Sequence, residues 1–451
     1  MTELLPTLRL AGPVVLAEIG WMSMGIVDTV MVGPLGPAAI GAVGMSSSLF
    51  IAVAIFGMGI MLGLDTLVAQ SYGANRLDDC ARWLQHGTCL GLGVGPPIML
   101  LCYAGLSTID SWGLHAAVRD LAAPYLRVIV LSTLPLLLYA TFRRYLQGIH
   151  LVRPVMYALV TANLANALAN WTLIYGRLGA PALGIEGSAW ATVLARVYMA
   201  LFLFVTILRE HRRRREVQPH VPFRFDPGRV RRLVTLGVPA AAQVTLEVGV
   251  FAAASALAGQ LDPVSLGSHQ IALNIAALAF MVPLGVSSAA AVRVGHAVGA
   301  RDVHRAVRGG WTALAAGVVI MAGIGTLLLV FPVPMLRVFT NDPQVIDTGV
   351  RLLTIAGAFQ VFDGTQAVAT GVLRGIGDTR TPMIMNVIGH WVLGLPAGYV
   401  LCFRRGWGVT GLWIGLSIGL VFVALLLTFV WHRKTARFQF PEHAPALPDL
   451  L

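Results

Sequence analysis

The sequence is short of charged residues. Only 12% of its 451 residues are Asp, Glu, Lys or Arg, about half of the ~25% that is usual in a soluble domain. Its four cysteines, at positions 80, 89, 102 and 402, lack the close spacing that disulfide frameworks and zinc sites need. No Ser/His/Asp arrangement, metal-ligand spacing or nucleotide-binding motif stands out. These absences argue against a soluble protein and against an enzyme.

Apolar residues, in contrast, make up 57% of the chain. They occur in runs of about 20 residues, which is the length that a helix needs to cross ~30 Å of hydrocarbon. The sequence therefore predicts an all-α, polytopic membrane protein with twelve spans. The predicted spans cover residues 10–32, 45–72, 87–109, 121–142, 155–175, 185–208, 233–258, 266–292, 311–331, 345–373, 383–403 and 409–431.

The formal net charge of +11 would suggest a nucleic-acid partner for a soluble protein. Here the basic residues lie between the apolar runs and are not interleaved with aromatic residues, so we expect no nucleic-acid binding. Placing both termini in the cytoplasm puts most basic residues on the cytoplasmic side, as the positive-inside rule requires. The predicted organisation is an amino-terminal lobe (1–208), a basic cytoplasmic linker (209–232), a carboxy-terminal lobe (233–432) and a cytoplasmic tail (433–451).

The two halves of the sequence repeat each other at a nearly fixed offset. The matched pairs are Pro13 and Pro239, Gly33 and Gly259, Gly41 and Gly267, Gly59 and Gly285, and Gly73 and Gly299. Since each half has six predicted spans, the two six-helix bundles keep the same orientation and are related by a pseudo-two-fold axis along the membrane normal. Such bundles can rock about a central cavity, which favours a transporter over a duplicated structural scaffold.

A carboxylate inside a span costs at least ~2.5 kcal/mol and calls for a partner, a proton or a cation. Three of those in the predicted spans are informative, namely Asp28, Glu247 and Asp363. Counted along the helix, Glu247 and Asp363 lie roughly 22 and 16 Å from the inner surface, close to the midplane. Two such groups can share a proton or bind Na⁺ between their oxygens. Asp28, near the outer end of the first span, could serve the first half in the same way. The alternative for each is a carboxylate bonded to polar neighbours for packing specificity.

Polar residues also occur in the fifth and sixth spans. Asn163, Asn166 and Asn170 are spaced by three and four residues, so they form one stripe on a helix. The stripe either bonds to neighbouring helices or lines the cavity beside Asp28. Arg196 is a mid-span cation, for which we expect an ion pair within the first bundle.

Several segments together resemble those of the multidrug and toxic compound extrusion (MATE) transporters, in the order found in that family. The resemblance covers essentially the whole chain and is closest to the NorM-like branch. The matching segments are Met24–Gly33, Asp65–Ala74, Leu246–Val248, His269–Asn274, Arg293–Gly299 and Leu373–Asp378.

The resemblance implies export of organic, often cationic drugs or toxic compounds in exchange for Na⁺ or H⁺, without ATP or a cofactor. It implies a multi-pass protein of the bacterial inner membrane whose partners are small organic molecules and the lipid bilayer, and we expect a monomer. The family's first-lobe carboxylate corresponds to Asp28, and its second-lobe cation site to Glu247 and Asp363, which would be the Na⁺ ligands.

Two of the matching segments supply further polar candidates for the cavity, namely Asp65 and Asn274. Phe359 departs from the family pattern, because some NorM-like members have a tyrosine there. Without that hydroxyl group, the ring offers no oxygen ligand for ion coordination.

Other functions remain as alternatives. A flippase for lipid-linked oligosaccharides, of related architecture, would favour a cavity rich in Arg and Lys, whereas the mid-span charges other than Arg196 are acidic. An intramembrane enzyme would need a paired nucleophile and base, or a metal cluster, within the spans. A channel would dissipate a gradient without obligatory exchange.

Overall fold

The computed structural model describes residues 4–112, 116–213 and 221–436. The centre of the predicted linker (214–220) and most of the predicted tail (437–451) lie outside the described residues.

Within the described residues, twelve long helices form two lobes of six. The first lobe contains α1 (Leu4–Val32), α2 (Pro37–Gly73), α3 (Leu77–Ser107), α4 (Ala116–Gly148), α5 (Arg153–Tyr175) and α6 (Ile185–Arg213). The second lobe contains α7 (Pro227–Ala258), α8 (Pro263–Gly299), α9 (Val303–Val330), α10 (Pro343–Gly375), α11 (Arg380–Arg404) and α12 (Gly408–Ala436).

All but one of these helices combine the length and the apolar composition needed to cross a membrane. The exception is α5, which is long enough at 23 residues but carries the three asparagines, whose amides lower its hydropathy. The described residues contain no strand, and the predicted all-α, twelve-span class is confirmed.

Three of the spans are interrupted. A turn at Met61–Leu62 divides α2, and a 3₁₀ segment, Val130–Ser132, divides α4. In α11 two segments, Val387–Gly394 and Val400–Arg404, are π-helical. Such wider turns are rare and occur often at functional sites.

The helices extend beyond most of the predicted apolar windows, because their polar ends project past the hydrocarbon layer. For example, α3 starts ten residues before the window predicted at 87–109. Both ends of the predicted linker are also helical, since α6 continues to Arg213 and α7 begins at Pro227. Asp226 caps α7 by accepting hydrogen bonds from the backbone N–H groups of Gly228 and Arg229.

Equivalent glycines bring the two lobes together at equivalent positions. A Cβ atom on Gly59 of α2 would overlap Ala241 of α7, and one on Gly285 of α8 would overlap Val15 of α1. The sequence offset that pairs Gly59 with Gly285 also pairs Val15 with Ala241. The same contact is therefore made twice, as a pseudo-two-fold axis between the lobes requires.

A second reciprocal contact lies where α2 and α8 end. A Cβ atom on Gly73 would overlap the backbone carbonyl oxygen of His296, and one on Gly299 would overlap that of Gln70. The repeat offset pairs Gly73 with Gly299 and Gln70 with His296, so each lobe makes the same contact with the other. Both pairs of contacts lie in the half of the spans next to the segment that joins α6 to α7, which we call the linker side. The lobes are thus closely packed on the linker side.

Candidate transport cavity

A cavity of about 500 Å³ lies between the lobes, which is within the usual size range of small-molecule sites. Helices α1, α2 and α4 contribute to it from the first lobe, and α7, α8, α10, α11 and α12 from the second. Large apolar side chains dominate its walls, including Phe280, Met281, Phe359 and Trp413. The cavity therefore offers an apolar, aromatic environment that lies mostly within the second lobe.

Glu247 and Asp363 both line this cavity, as their similar predicted depth suggested. The Nε2 atom of Gln366 donates to Oε1 of Glu247 at 3.3 Å, and Nδ2 of Asn386 donates to Oε2 at 3.5 Å. Asp363 is 8% exposed and lies within electrostatic range of Glu247. No hydrogen bond to the Asp363 carboxylate is found among the described residues. The structure thus joins the two second-lobe carboxylates in one site.

Further oxygen atoms belong to residues that bond Glu247 or line the cavity. Within the described part of the chain, Oε1 of Gln366, Oδ1 of Asn386 and Oγ1 of Thr370 are buried without a hydrogen-bond partner. Carboxylate, amide and hydroxyl oxygens are the ligands that hard cations prefer. No cluster of three or more His, Cys, Asp or Glu side chains is found in the described residues. The residues present therefore fit Na⁺ or a proton better than a transition metal.

Asp28 lies apart from the cavity, in a closed polar cluster of the first lobe. Its Oδ1 atom accepts a hydrogen bond from Nδ2 of Asn170, and its Oδ2 atom accepts one from Oγ1 of Thr192, both at 2.7 Å. Asn170 also donates to the side-chain and backbone oxygens of Asn166. Asn166 and Asn170 thus belong to the Asp28 cluster and do not line the cavity.

The other members of the predicted asparagine stripe and the mid-span arginine make local contacts. Asn163 donates to the backbone carbonyl oxygen of Gly20 on α1 at 2.9 Å, so it bonds a neighbouring helix. Arg196 donates to the hydroxyl group of Ser132, and its guanidinium group lies 4.7 Å from the centre of the Phe50 ring. Among the described residues no carboxylate lies within 4 Å of it. The expected ion pair of Arg196 is therefore not a direct contact. Asp28 of the same lobe attracts the cation from a longer range, and a hydroxyl and an aromatic face solvate it.

The three remaining candidates lie in different surroundings. Phe359 lines the cavity, with its ring centre 6.1 Å from that of Trp413. Asn274 is exposed and does not line the cavity, although Ala277, one turn further along α8, does. Asp65 is buried outside the cavity lining, in an ion pair between the lobes.

Sequence reasoning missed the arginines at the linker-side end of the cavity. Arg143, Arg144 and Arg374 line the cavity, although they directly follow the predicted spans 121–142 and 345–373, where basic residues count as cytoplasmic flanks. Arg143 pairs with Glu18, and the other two pair with Asp65. The signal that could have identified them is the pair of carboxylates itself, because a buried Glu18 and a buried Asp65 each need a basic partner.

Two repeated six-helix lobes, packed together on one side and enclosing a cavity with buried carboxylates, define a multi-pass membrane transport protein. The chain belongs to the MatE family, whose pattern matches residues 13–172 and 239–400, one match in each lobe. The resemblance noted in the sequence is thereby confirmed, and so is the expectation of a transport protein rather than an enzyme.

Relatives span almost the whole chain. It is 37% identical over 439 residues to the "Probable multidrug resistance protein NorM" of Mesorhizobium japonicum, with 96% of this chain and 94% of the relative covered. It is 33% identical over 424 residues to the "Multidrug resistance protein NorM" of Photobacterium profundum, with 93% of each covered.

Solved structures share the fold. The eukaryotic MATE transporter AtDTX14 superposes with a TM-score of 0.85 at 20% identity, with 97% of this chain and 98% of that chain covered. A MOP superfamily transporter from Pyrococcus furiosus gives 0.86 at 21% identity, with 96% and 95% covered.

Proposed function

We propose that the protein is a secondary antiporter that exports organic, often cationic, drugs or toxic compounds in exchange for Na⁺ or H⁺ by alternating access. The observation that carries this proposal is the buried Asp363 carboxylate beside Glu247 in the wall of an aromatic cavity. A carboxylate so placed stays charged only with a positive companion. The names of the NorM relatives as multidrug resistance proteins support the choice of cargo.

In this proposal both termini, the linker (209–232) and the tail (433–451) are cytoplasmic, and the chain acts as a monomer in the bacterial inner membrane. The lobe boundaries of 1–208 and 233–432 follow from the same assignment. Because the lobes pack closely on the linker side, this assignment makes the described state closed toward the cytoplasm.

Exchange follows from competition at one site. The aromatic walls favour an organic cation through ring faces and apolar contact, while the carboxylates attract either that cation or the coupling ion. Loading Na⁺ or H⁺ onto Glu247 and Asp363 removes the negative charge that holds the drug and releases it outside. Competition between two ligands is reciprocal, so drug binding on the cytoplasmic side expels the ion. Asp28 is a second site for a proton or cation in the first lobe.

The test is efflux of ethidium from proteoliposomes, with the Na⁺ and pH gradients imposed separately. We expect one of the gradients to drive efflux and Glu247→Ala or Asp363→Ala to abolish it while the protein still inserts. The control is Asp347→Asn, which removes an exposed carboxylate paired with Arg351. Gradient-driven efflux that is undiminished in both cavity variants would contradict the proposal.

The arginines at the linker-side end of the cavity favour one alternative, a flippase for lipid-linked oligosaccharides. Arg143, Arg144 and Arg374 could bind a pyrophosphate, and among the described residues only Glu18 and Asp65 pair with them. A labelled lipid-linked oligosaccharide in the same proteoliposomes distinguishes the two functions. If the protein is an antiporter, we expect the labelled lipid not to cross the bilayer and not to inhibit ethidium efflux.

A further inference from the structure

His390 is a buried polar side chain in the wall of the cavity that the exchange of ions does not use. It lies on α11 and is 1% exposed. Neither of its ring nitrogens has a hydrogen-bond partner among the described residues. Since buried polar groups are normally bonded, a group with two unpaired nitrogens calls for an explanation.

The other buried histidines of the described chain are bonded, which makes His390 stand out. His269 pairs with Ser255 at 2.9 Å and with Nε1 of Trp413 at 3.0 Å. His86 pairs through both nitrogens with backbone groups, at 2.8 and 2.9 Å. A histidine with a purely structural role in this fold is therefore satisfied within the protein.

The backbone around His390 is held in place from both sides. Its neighbour Gly389 packs so closely on α12 that a Cβ atom would overlap Val423. Its other neighbour, Trp391, donates from Nε1 to the backbone carbonyl oxygen of Leu246 on α7 at 3.0 Å. His390 thus lies on a fixed π-helical segment, Val387–Gly394, and its position does not depend on a hydrogen bond of its own.

The repeated architecture does not require a histidine at this position. At the offset that pairs Pro154 with Pro382, His390 corresponds to Ala162 in the first lobe. Ala162 is buried in the apolar core of that lobe. The imidazole is therefore specific to the lobe that contains most of the cavity.

We propose that His390 determines substrate specificity by forming a hydrogen bond with a polar group of the bound compound. A neutral imidazole offers one donor and one acceptor, so it suits an amine or hydroxyl group attached to an aromatic cation. The rings of Phe359 and Trp413 in the same cavity would contact the aromatic part. This inference rests on the proposed export of organic cations and adds the chemical feature by which they are selected.

The test compares two aromatic monocations that differ in hydrogen-bonding groups. Ethidium carries two aromatic amines, whereas tetraphenylphosphonium has no donor or acceptor. Their equilibrium binding to purified full-length protein is measured without any gradient, so a failure of ion-driven exchange would leave this result intact. We expect His390→Leu to weaken ethidium binding roughly tenfold, the loss of one buried hydrogen bond, and to leave tetraphenylphosphonium binding unchanged.

His390→Gln is the matched control, because its amide keeps a donor and an acceptor, and it should retain most of the ethidium affinity. Tetraphenylphosphonium binding reports in each variant that the cavity is folded. An equal loss of both probes in His390→Leu would show a structural role and overturn the inference. Unchanged ethidium binding in that variant, or failure of the wild-type protein to bind either probe, would overturn it as well.

Discussion

Asp65 of the first lobe and Arg374 of the second form an ion pair, with 3.2 Å between Oδ2 and Nη1. The same oxygen accepts a hydrogen bond from Arg144 at 3.3 Å. Beside them, the hydroxyl group of Thr66 donates to the backbone carbonyl oxygen of Arg374 at 2.5 Å. These contacts join the lobes on the linker side, so they must break before the cavity can open there.

Replacing Asp65 by Asn should shift the protein toward opening on the linker side. Removing one partner of a buried pair costs roughly 3–5 kcal/mol, since it leaves uncompensated charge, and here two arginines lose their shared anion. Spin labels at the exposed positions Arg153 and His304, in a background without the four cysteines, report the distance between the lobes. We expect a longer distance in the variant.

Asp347→Asn provides the control. Asp347 pairs with an arginine, as Asp65 does, but it is exposed. Exposed pairs contribute about 0–1 kcal/mol, so its distance distribution should match that of the wild type. An unchanged distribution in Asp65→Asn would show that this ion pair does not hold the lobes together.

The glycines where α2 and α8 end should be intolerant of even a methyl group. In Gly73→Ala and Gly299→Ala the new Cβ atom would overlap a backbone carbonyl oxygen of the opposite lobe, so we expect both variants to separate the lobes and lower thermal stability. Gly93→Ala is the matched control, because nothing lies within 4 Å of its Cβ position. Equal stability of all three variants would contradict the close packing on the linker side.

Much of the architecture could be predicted because it depends on repetition along the chain. Apolar length marks the spans, and the fixed offset of glycines such as Gly59 and Gly285 marks the two lobes. The same glycines proved to make reciprocal contacts across the interface. Helix ends were predicted less well, because residues past the hydrocarbon layer follow helix geometry and not hydropathy.

The site could be predicted only in part. Glu247 and Asp363 were identifiable because a carboxylate inside a span is costly, and the structure places both in one cavity. The partners of Asp65 were missed, since arginines near span ends such as Arg144 and Arg374 look like cytoplasmic flanks, although a buried carboxylate signals that it needs a basic partner. The unpaired state of His390 depends on the packing of three helices, which local sequence does not encode.

Asp28 offers a test of the first lobe. If it is a second ion site, Asp28→Asn should reduce the number of ions exchanged per substrate and thus the maximal accumulation of ethidium at a given gradient. Tetraphenylphosphonium binding should be unchanged, because Asp28 does not line the cavity. Thr192→Val, which removes one hydrogen bond to the carboxylate but keeps its charge, should preserve accumulation. Unaltered accumulation in Asp28→Asn would exclude a role in coupling.

The loop between α10 and α11 should contribute a pH-dependent increment of stability. Partial burial acts to raise the pKa of Asp378, but hydrogen bonds from Lys434 and Thr381 and the charge of Lys434 together lower that pKa below its ordinary value. A lowered pKa means that the stabilisation is present above the ordinary value of 3.8 and is lost as the pH falls through the lowered pKa. Because Lys434 is 41% exposed, we expect about 1 kcal/mol or less.

Thermal unfolding of wild type and Asp378→Asn between pH 7 and pH 3 checks this. The difference in thermal stability between the two proteins should be constant near neutral pH. It should shrink as the pH falls below the ordinary pKa of Asp378. A stability difference that grows as the pH falls would be the opposite pH dependence and would contradict the ion pair with Lys434.

The central claim is that drug and coupling ion compete for Glu247 and Asp363. The most direct measurement is the dissociation constant of tetraphenylphosphonium as a function of Na⁺ concentration and of pH, in the wild type and in Glu247→Gln/Asp363→Asn. We expect Na⁺ or protons to weaken binding to the wild type and to have no effect on the double variant. Wild-type binding that is indifferent to both ions, or an ion dependence that persists in the double variant, would contradict it.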